Sequence, residues 1–222
     1  MEPLIAEIKS STFITPDVKR FVLTRPTGLK FKPGQGVMVA IDRDGWRDKW
    51  RPFTFTSLTT SRNIELIVKI YNDHKGVTEQ LGIIRKGERL LLGDVFGTIT
   101  YNVPGVFFAA CTGITPFLAI FRDLEKKKKM KANTLVYSNR TGLDVIMDTE
   151  LAKLLGKRYF KLFTRERVIG FRDRRIDNNT LIALVQNFDQ NFYICGPKEF
   201  VRDLEEMLLS LGAKADTLIF EA

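Results

Sequence analysis

Through the first hundred residues apolar side chains recur in short runs rich in β-branched and aromatic types, at Ile5–Ser10, Val18–Thr24, Val37–Ile41, Ile64–Tyr71 and Arg89–Leu92. Such runs predict strands, with successive side chains on opposite faces. Turn chemistry separates them: Thr15-Pro16-Asp17, Pro26-Thr27-Gly28, Pro33-Gly34-Gln35-Gly36 and Asp42-Arg43-Asp44-Gly45. Arg51–Ser57 adds a further extended segment. Six or so short strands at this spacing predict a small antiparallel barrel or sandwich. Before the last of them, Gly76-Val77-Thr78-Glu79-Gln80-Leu81 reads as a glycine turn opening a short helix. The free N–H groups and hydroxyl there suit a phosphate, and plain helix capping would use the same residues.

After Gly93–Gly97 the pattern changes to apolar strands alternating with amphipathic helices. Gly105–Ala110, Thr134–Ser138, Tyr159–Thr164, Asn191–Cys195 and Thr217–Glu221 read as strands. Phe117–Leu124, Thr149–Leu155, Leu181–Val185 and Glu199–Leu211 read as helices. That alternation predicts a parallel sheet covered on both faces, with ligands beyond the carboxyl ends of the strands. Two turns stand at such ends, Cys111-Thr112-Gly113-Ile114-Thr115-Pro116 and Cys195-Gly196-Pro197. Glycine there lets a pyrophosphate approach the backbone, although the spacing is not the full dinucleotide fingerprint.

Composition narrows the classes. With 222 residues, 44% hydrophobic and 27% charged, the chain is an ordinary globular one. No apolar run reaches the ~20 residues of a membrane span, and Met1-Glu2-Pro3-Leu4 lacks a signal-peptide layout. Cys111 and Cys195, far apart and within turns, suit a reducing compartment, so a cytoplasmic location is expected. The single histidine, His74, excludes most histidine metal sites and leaves little room for a Ser-His-Asp triad. A net charge of +9 attracts something acidic, whether nucleic acid, an anionic membrane or an acidic protein. Lys126–Lys131 reads as a solvated helix end rather than a nucleic-acid site, because no zinc-finger or aromatic-basic signature accompanies it.

Arg51-Pro52-Phe53-Thr54-Phe55-Thr56-Ser57 carries the most chemistry: a fixed cation, a stiffening proline, an aromatic ring and several hydroxyls. The mix suits a ligand with phosphates at one end and a flat ring at the other. An ordinary half-buried strand alternates in the same way.

A barrel with an Arg-x-aromatic-hydroxyl stretch, followed by a parallel α/β half with these two turns, resembles the ferredoxin–NADP reductase family of flavoenzymes over nearly the whole chain. The resemblance implies a two-domain fold: an antiparallel β-barrel for FAD over residues 1–101, and an α/β parallel-sheet domain for NAD(P)H over residues 102–222. It implies that Arg51 pairs with the FAD pyrophosphate, that Pro52 and Phe53 pack at the flavin and that Thr54 hydrogen-bonds near N5. Phe53 and Thr54 stand where the family usually has tyrosine and often has serine. Lys69, Ile70 and Tyr71 match the strand along the ribityl and phosphate portion, and Gly76, Val77 and Thr78 the phosphate turn. Thr112, Gly113, Ile114 and Pro116 match the nicotinamide-nucleotide turn, with Cys111 replacing its first glycine. Cys195, Gly196 and Pro197 match the turn beside the nicotinamide, and Glu221 a glutamate near the flavin. Thr54, Cys195 and Glu221 are thereby the expected catalytic residues.

Several readings stay open at this level. Cys195 could be a small core residue, and Glu221 a solvated terminus. In the expected cofactor-binding stretch Ser138-Asn139-Arg140, Ser138 and Arg140 offer a clamp for a 2′-phosphate, whereas Asp144 looks like the aspartate with which cytochrome b5 reductase-like members select NADH; either could instead be a loop or cap residue, so the nucleotide stays NAD(P)H. The family's extra C-terminal aromatic has no counterpart after Ala222, which implies a more open nicotinamide face. No cysteine-rich segment for an iron–sulfur cluster is present, so electrons are expected to leave to a separate acidic carrier, flavodoxin or ferredoxin. The alternatives are a reductase for cytochrome, ferric siderophore or free flavin, a reductase subunit of a multicomponent enzyme, or a non-catalytic nucleotide-sensing or nucleic-acid-binding subunit.

Overall fold

The computed structural model describes residues 2–97, 99–130, 132–166 and 175–221, the side chain of Glu221 excepted. Lys131 and Ala222 lie outside the described residues.

The strand-forming runs of the first half assemble as expected into an antiparallel sheet of six strands. They are β1 (Leu4–Thr15), β2 (Val18–Thr24), β3 (Gly36–Ile41), β4 (Arg51–Thr54), β5 (Asn63–Lys69) and β6 (Arg89–Phe96), in the order β4-β3-β6-β1-β2-β5. Phe55, just past β4, bridges Leu66 of β5, and Thr56 N–H donates to the Glu65 carbonyl at 2.9 Å. That contact brings the two edge strands together and closes the sheet into a barrel. Inward-facing Ile8, Leu23, Val39, Phe55, Leu66 and Leu92 fill it.

Two strands run further than their hydrophobic pattern. β1 continues from Ser10 to Thr15 because its polar side chains face solvent while its backbone pairs with β2. β6 continues through Gly93 to Phe96 because β3 pairs with it as far as Gly36. Glycine 93 fits since Trp50 packs across it, 3.1 Å from where a Cβ would stand. The short helix α1 (Val77–Ile83) leaves the barrel between β5 and β6. Its carboxyl end is held by the buried Lys19, whose ammonium donates to the carbonyls of Leu81 (3.2 Å), Gly82 (2.9 Å) and Ile84 (3.2 Å).

The second half is a parallel sheet of five strands. These are β7 (Gly105–Ala110), β8 (Thr134–Asn139), β9 (Tyr159–Phe163), β10 (Asn191–Cys195) and β11 (Leu218–Glu221), in the order β11-β10-β7-β8-β9. Helices α2 (Ile114–Lys126), α3 (Asp148–Leu155), α4 (Asn178–Leu184) and α5 (Lys198–Ser210) cover its faces. From β7 the chain moves outward to β8 and β9, then returns to place β10 on the other side. The order therefore reverses between β7 and β10, and a crevice opens beyond their carboxyl ends. The lysine run is the exit turn of α2: Lys127 and Lys129 N–H groups close on the Asp123 and Leu124 carbonyls, and Lys127 pairs with Asp123 at 2.7 Å.

Candidate functional site

The carboxyl ends of β7 and β10 face the open end of β4 across a cleft of about 530 Å³. From the barrel, Pro52, Phe53, Thr54, Ile67, Val68, Lys69, Tyr71, Thr78 and Phe96 line it; from the sheet, Ala110, Cys111, Thr112, Gly113, Thr115, Arg140, Cys195, Gly196 and Pro197. The cleft thus gathers most of the residues expected from the sequence, drawn from segments more than a hundred positions apart.

Pairing of Gly36 with Thr54 and of Val37 with Phe53 sets the barrel wall. Gly36 is required because a Cβ there would stand 2.9 Å from the Phe53 carbonyl oxygen. Phe53 is half-buried, its inner edge against the barrel core. The hydroxyls of Thr54 and Thr78 have no hydrogen-bond partner among the described residues and are available to a ligand. Lys69 pairs with Asp17 at 2.5 Å and lies 6.0 Å from the Tyr71 ring, so its charge is partly neutralised. Ile70 contributes backbone only: its side chain is in the barrel core and its N–H donates to the Asp17 carbonyl at 2.7 Å. Val77 is likewise buried beneath the turn at Gly76, which is capped by no side chain. Arg51 stands exposed at the outer end of β4, donating to the Trp50 carbonyl at 2.7 Å, and is not among the residues lining the cleft.

On the opposite wall, the two turns touch. A Cβ on Gly113 would stand 2.2 Å from the Cys195 carbonyl oxygen, and one on Gly196 would stand 3.0 Å from the Ala110 Cβ. Only glycine permits that approach. Cys111 has a left-handed backbone with φ of 52°, a conformation that glycine adopts more easily. Its carbonyl accepts a hydrogen bond from the buried Tyr137 hydroxyl at 2.8 Å, which fixes the turn. Burial pushes the Cys111 thiol up, against the opposing charges of Lys69 and Arg140, so it stays protonated at neutral pH. Neither cysteine is in a disulfide. Ile114 and Pro116 are buried in the first turn of α2 and support the turn from below. Glu221 pairs in register with Cys195, which places its backbone beside the cleft, and its side chain lies outside the described residues.

Around the corner, Ser138 opens on a second cleft of about 820 Å³, which shares Pro197 with the first. Its rim carries Arg175 together with Asp177, Glu199, Asp203 and Glu206. Asn139 is 2% exposed, with no hydrogen-bond partner for its side-chain amide among the described residues. Asp144 caps its own turn, accepting from the Thr141 N–H at 2.9 Å and hydroxyl at 2.7 Å. The same carboxylate borders Arg140 and Cys111.

Residues not foreseen are Phe96, which stands in the cleft beside Phe53, and Asp17, which holds Lys69. Continued alternation past Leu92 would have found Phe96. No local signal marks Asp17. Among the described residues no cluster of histidine, cysteine and carboxylates could hold a metal, and no helix is long and apolar enough to cross a membrane.

Comparison with known proteins adds the following. Residues 5–101 match the family described as Oxidoreductase FAD-binding domain, and residues 107–206 the family described as Oxidoreductase NAD-binding domain. A ferredoxin–NADP reductase of Pseudomonas aeruginosa is 24% identical, over 87% of this chain and 84% of that protein. The NADH oxidoreductase HCR of Escherichia coli is 24% identical over 95% of this chain, which spans 65% of that longer protein. Among solved structures, the flavohem-like FAD/NAD-binding domain of nitric oxide dioxygenase from Vibrio cholerae has a TM-score of 0.87 at 21% identity, covering 100% of this chain and 98% of that one. A ferredoxin NADP+ reductase from Neisseria gonorrhoeae with bound FAD and NADP has a TM-score of 0.82 at 22% identity, covering 98% and 97%.

Proposed function

Because the chain belongs to the ferredoxin–NADP reductase-like family of FAD- and NAD-binding oxidoreductases, we propose that it passes electrons from NAD(P)H through FAD to a separate acidic carrier protein of the flavodoxin or ferredoxin kind. The observation that carries this reading is the cleft itself, where Phe53 and Thr54 of the barrel face Thr112, Gly113 and Cys195 of the parallel sheet.

The residues present fit the two cofactors. A flat-ring ligand finds an aromatic wall in Phe53 and Phe96, and a dinucleotide finds close backbone approach at Gly113 and Gly196. Bound there, FAD supplies acceptance of a hydride from reduced nicotinamide and onward release of electrons one at a time. The protein's part is binding and alignment. In this reading the exposed Arg51 reaches from the outer end of β4 to the FAD pyrophosphate, which extends beyond the cleft and which Lys69 also neutralises, with Gly76, Val77 and Thr78 supplying N–H and hydroxyl donors, and Ile70 and Tyr71 bordering the ribityl chain. Pro52 and Phe53 hold the flavin ring, and the Thr54 hydroxyl donates at its edge. Thr112, Gly113, Ile114 and Pro116 seat the nicotinamide nucleotide. Cys195, Gly196 and Pro197 keep its reactive face toward the flavin, with Glu221 beside them. Ser138, Asn139, Arg140 and Asp144 border the adenosine end.

The acceptor follows from charge. A surface with net charge of +9 steers an acidic carrier, and that steering weakens with salt. Purified protein should be yellow and should bleach on mixing with NADH or NADPH. Arg51→Ala should lose FAD, whereas Cys195→Ala should retain it and slow the bleaching. A colourless preparation that takes up no FAD overturns the reading. Reduction of flavodoxin and ferredoxin that is slow and indifferent to ionic strength overturns the acceptor assignment alone, and points to a dedicated partner subunit.

A further inference from the structure

The two walls of the cleft belong to different sheets, so the distance across it depends on how the barrel sits against the parallel sheet. Most of that contact is apolar. Val18 and Ile67 of the barrel share one buried cluster with Ile99, Ile114, Phe117 and Phe121. Apolar contact holds surfaces together without direction, and tolerates sliding.

One group does have direction. The Arg122 guanidinium, on α2 and mostly buried, uses Nε and Nη2 to grip both oxygens of Glu150 on α3, at 2.6 and 2.8 Å. Its Nη1 crosses to the barrel and donates to the Thr56 carbonyl at 2.7 Å and to Glu65 Oε1 at 2.6 Å. Glu65 is 6% exposed. Its Oε1 also accepts from the Thr56 hydroxyl at 2.7 Å, and its Oε2 accepts from Arg20 Nε at 2.6 Å. Burial alone would weaken both charges, but their partners outweigh that cost: Arg122, with Thr56 and Arg20, holds Glu65 below the usual carboxylate range, and Glu150 with Glu65 holds Arg122 above the usual guanidinium range.

The two ends of this network lead to the two walls. Thr56 lies two positions beyond Thr54 on the same extended segment, roughly 7 Å along it. Arg122 lies eight positions beyond Ile114 on α2, which Gly113 caps, roughly 12 Å along a rigid rod. Thr54, Thr56, Arg122, α2 and Gly113 therefore form a closed frame around the cleft. We propose that Arg122 is a positioning residue: by tying Thr56 and Glu65 of the barrel to α2 and Glu150 it sets the separation and tilt between the flavin wall and the nicotinamide wall. This rests on the reading of the cleft as the hydride-transfer site. Its planar fork matters because a single ammonium cannot meet Glu150, Glu65 and the Thr56 carbonyl in that geometry at once.

The test uses FAD-loaded wild type, Arg122→Lys, which leaves a cation opposite buried Glu65, and Glu65→Gln, which keeps the shape of the acceptor. Lys214→Ala, which breaks an exposed pair with Asp189, is the control. FAD content and nucleotide affinity should stay within about threefold of wild type, whereas the limiting rate of flavin reduction at saturating nucleotide should fall by about tenfold or more, as expected for sub-ångström to ångström misalignment. Hydrogen exchange in residues 54–58 and 112–118 should quicken in both variants, and the control should change neither readout. Reduction within about twofold of wild type in both variants, or unchanged exchange in both stretches, overturns the proposal. If the wild type itself is not reduced by either nucleotide, the functional reading fails, and the exchange comparison alone judges whether Arg122 braces the two walls.

Discussion

Substituting Gly113 by alanine should separate stability from catalysis in a calculable way. A methyl group there would stand 2.2 Å from the Cys195 carbonyl oxygen, 2.5 Å from its carbon and 2.8 Å from Gly196 Cα. Non-bonded heavy atoms settle at ~3.5–4.0 Å, so the two turns must part by roughly 1 Å or more. The obstacles are backbone atoms at the end of a paired strand, which cannot rotate away as a side chain would. The cost therefore belongs near the upper end of overpacking, about 2–3 kcal/mol. For a chain of this size each kcal/mol lowers Tm by roughly 2–4 °C, giving a drop of about 4–12 °C in thermal unfolding. A shift of roughly 1 Å between Cys195 and Thr112 should also slow flavin reduction by about a hundredfold. Gly105→Ala is the matched control: its methyl group would stand 2.2 Å from the Asn191 carbonyl oxygen, at the other end of the same β7–β10 pair. It should lose similar stability while reducing flavin within about threefold of wild type. A Gly113→Ala protein with Tm within about 2 °C of wild type would refute the steric argument. Equal slowing in both variants would show that the loss comes from general destabilisation rather than the cleft.

Two further outcomes concern buried charge. Lys19→Met removes an ammonium that donates to three carbonyls at the end of α1; hydrogen bonds to a charged donor support a loss of about 2–4 kcal/mol in urea unfolding and weaker FAD retention, and a loss under about 0.5 kcal/mol would contradict it. Glu65 has a folded value below its ordinary 4.5, so the unfolded chain binds the extra proton and the stability Glu65 contributes is complete above that value and disappears as pH falls through the lower folded one. Acid unfolding profiles of wild type and Glu65→Gln should therefore converge as pH drops below 4.5, and parallel profiles would show that the ion pair carries no such linkage.

Strands, helices and the turns between them were legible along the chain because each depends on neighbours within a few positions. The periods at Val18–Thr24, Gly105–Ala110 and Asn191–Cys195 coincide with the observed strands. Cofactor chemistry was legible through the family resemblance that Arg51–Ser57, Cys111–Pro116 and Cys195–Pro197 carry together, since each alone also fits an ordinary strand or turn. Barrel closure through Phe55 and Leu66, the contact of Gly113 with the Cys195 carbonyl and the frame through Arg20, Thr56, Glu65, Arg122 and Glu150 were not. Each joins residues whose separation in sequence has no period, so no local pattern encodes the partner. Asp144 and Asn139 show the same limit from the other side: that the Asp144 carboxylate caps the turn at Thr141, and that the Asn139 side chain is buried, are set by the fold and not by the local pattern. The sequence by itself determined which elements form and what kind of ligand they can face. Tertiary structure alone decided how far apart the two walls stand, because that distance is set by packing and a buried guanidinium acting across the whole chain.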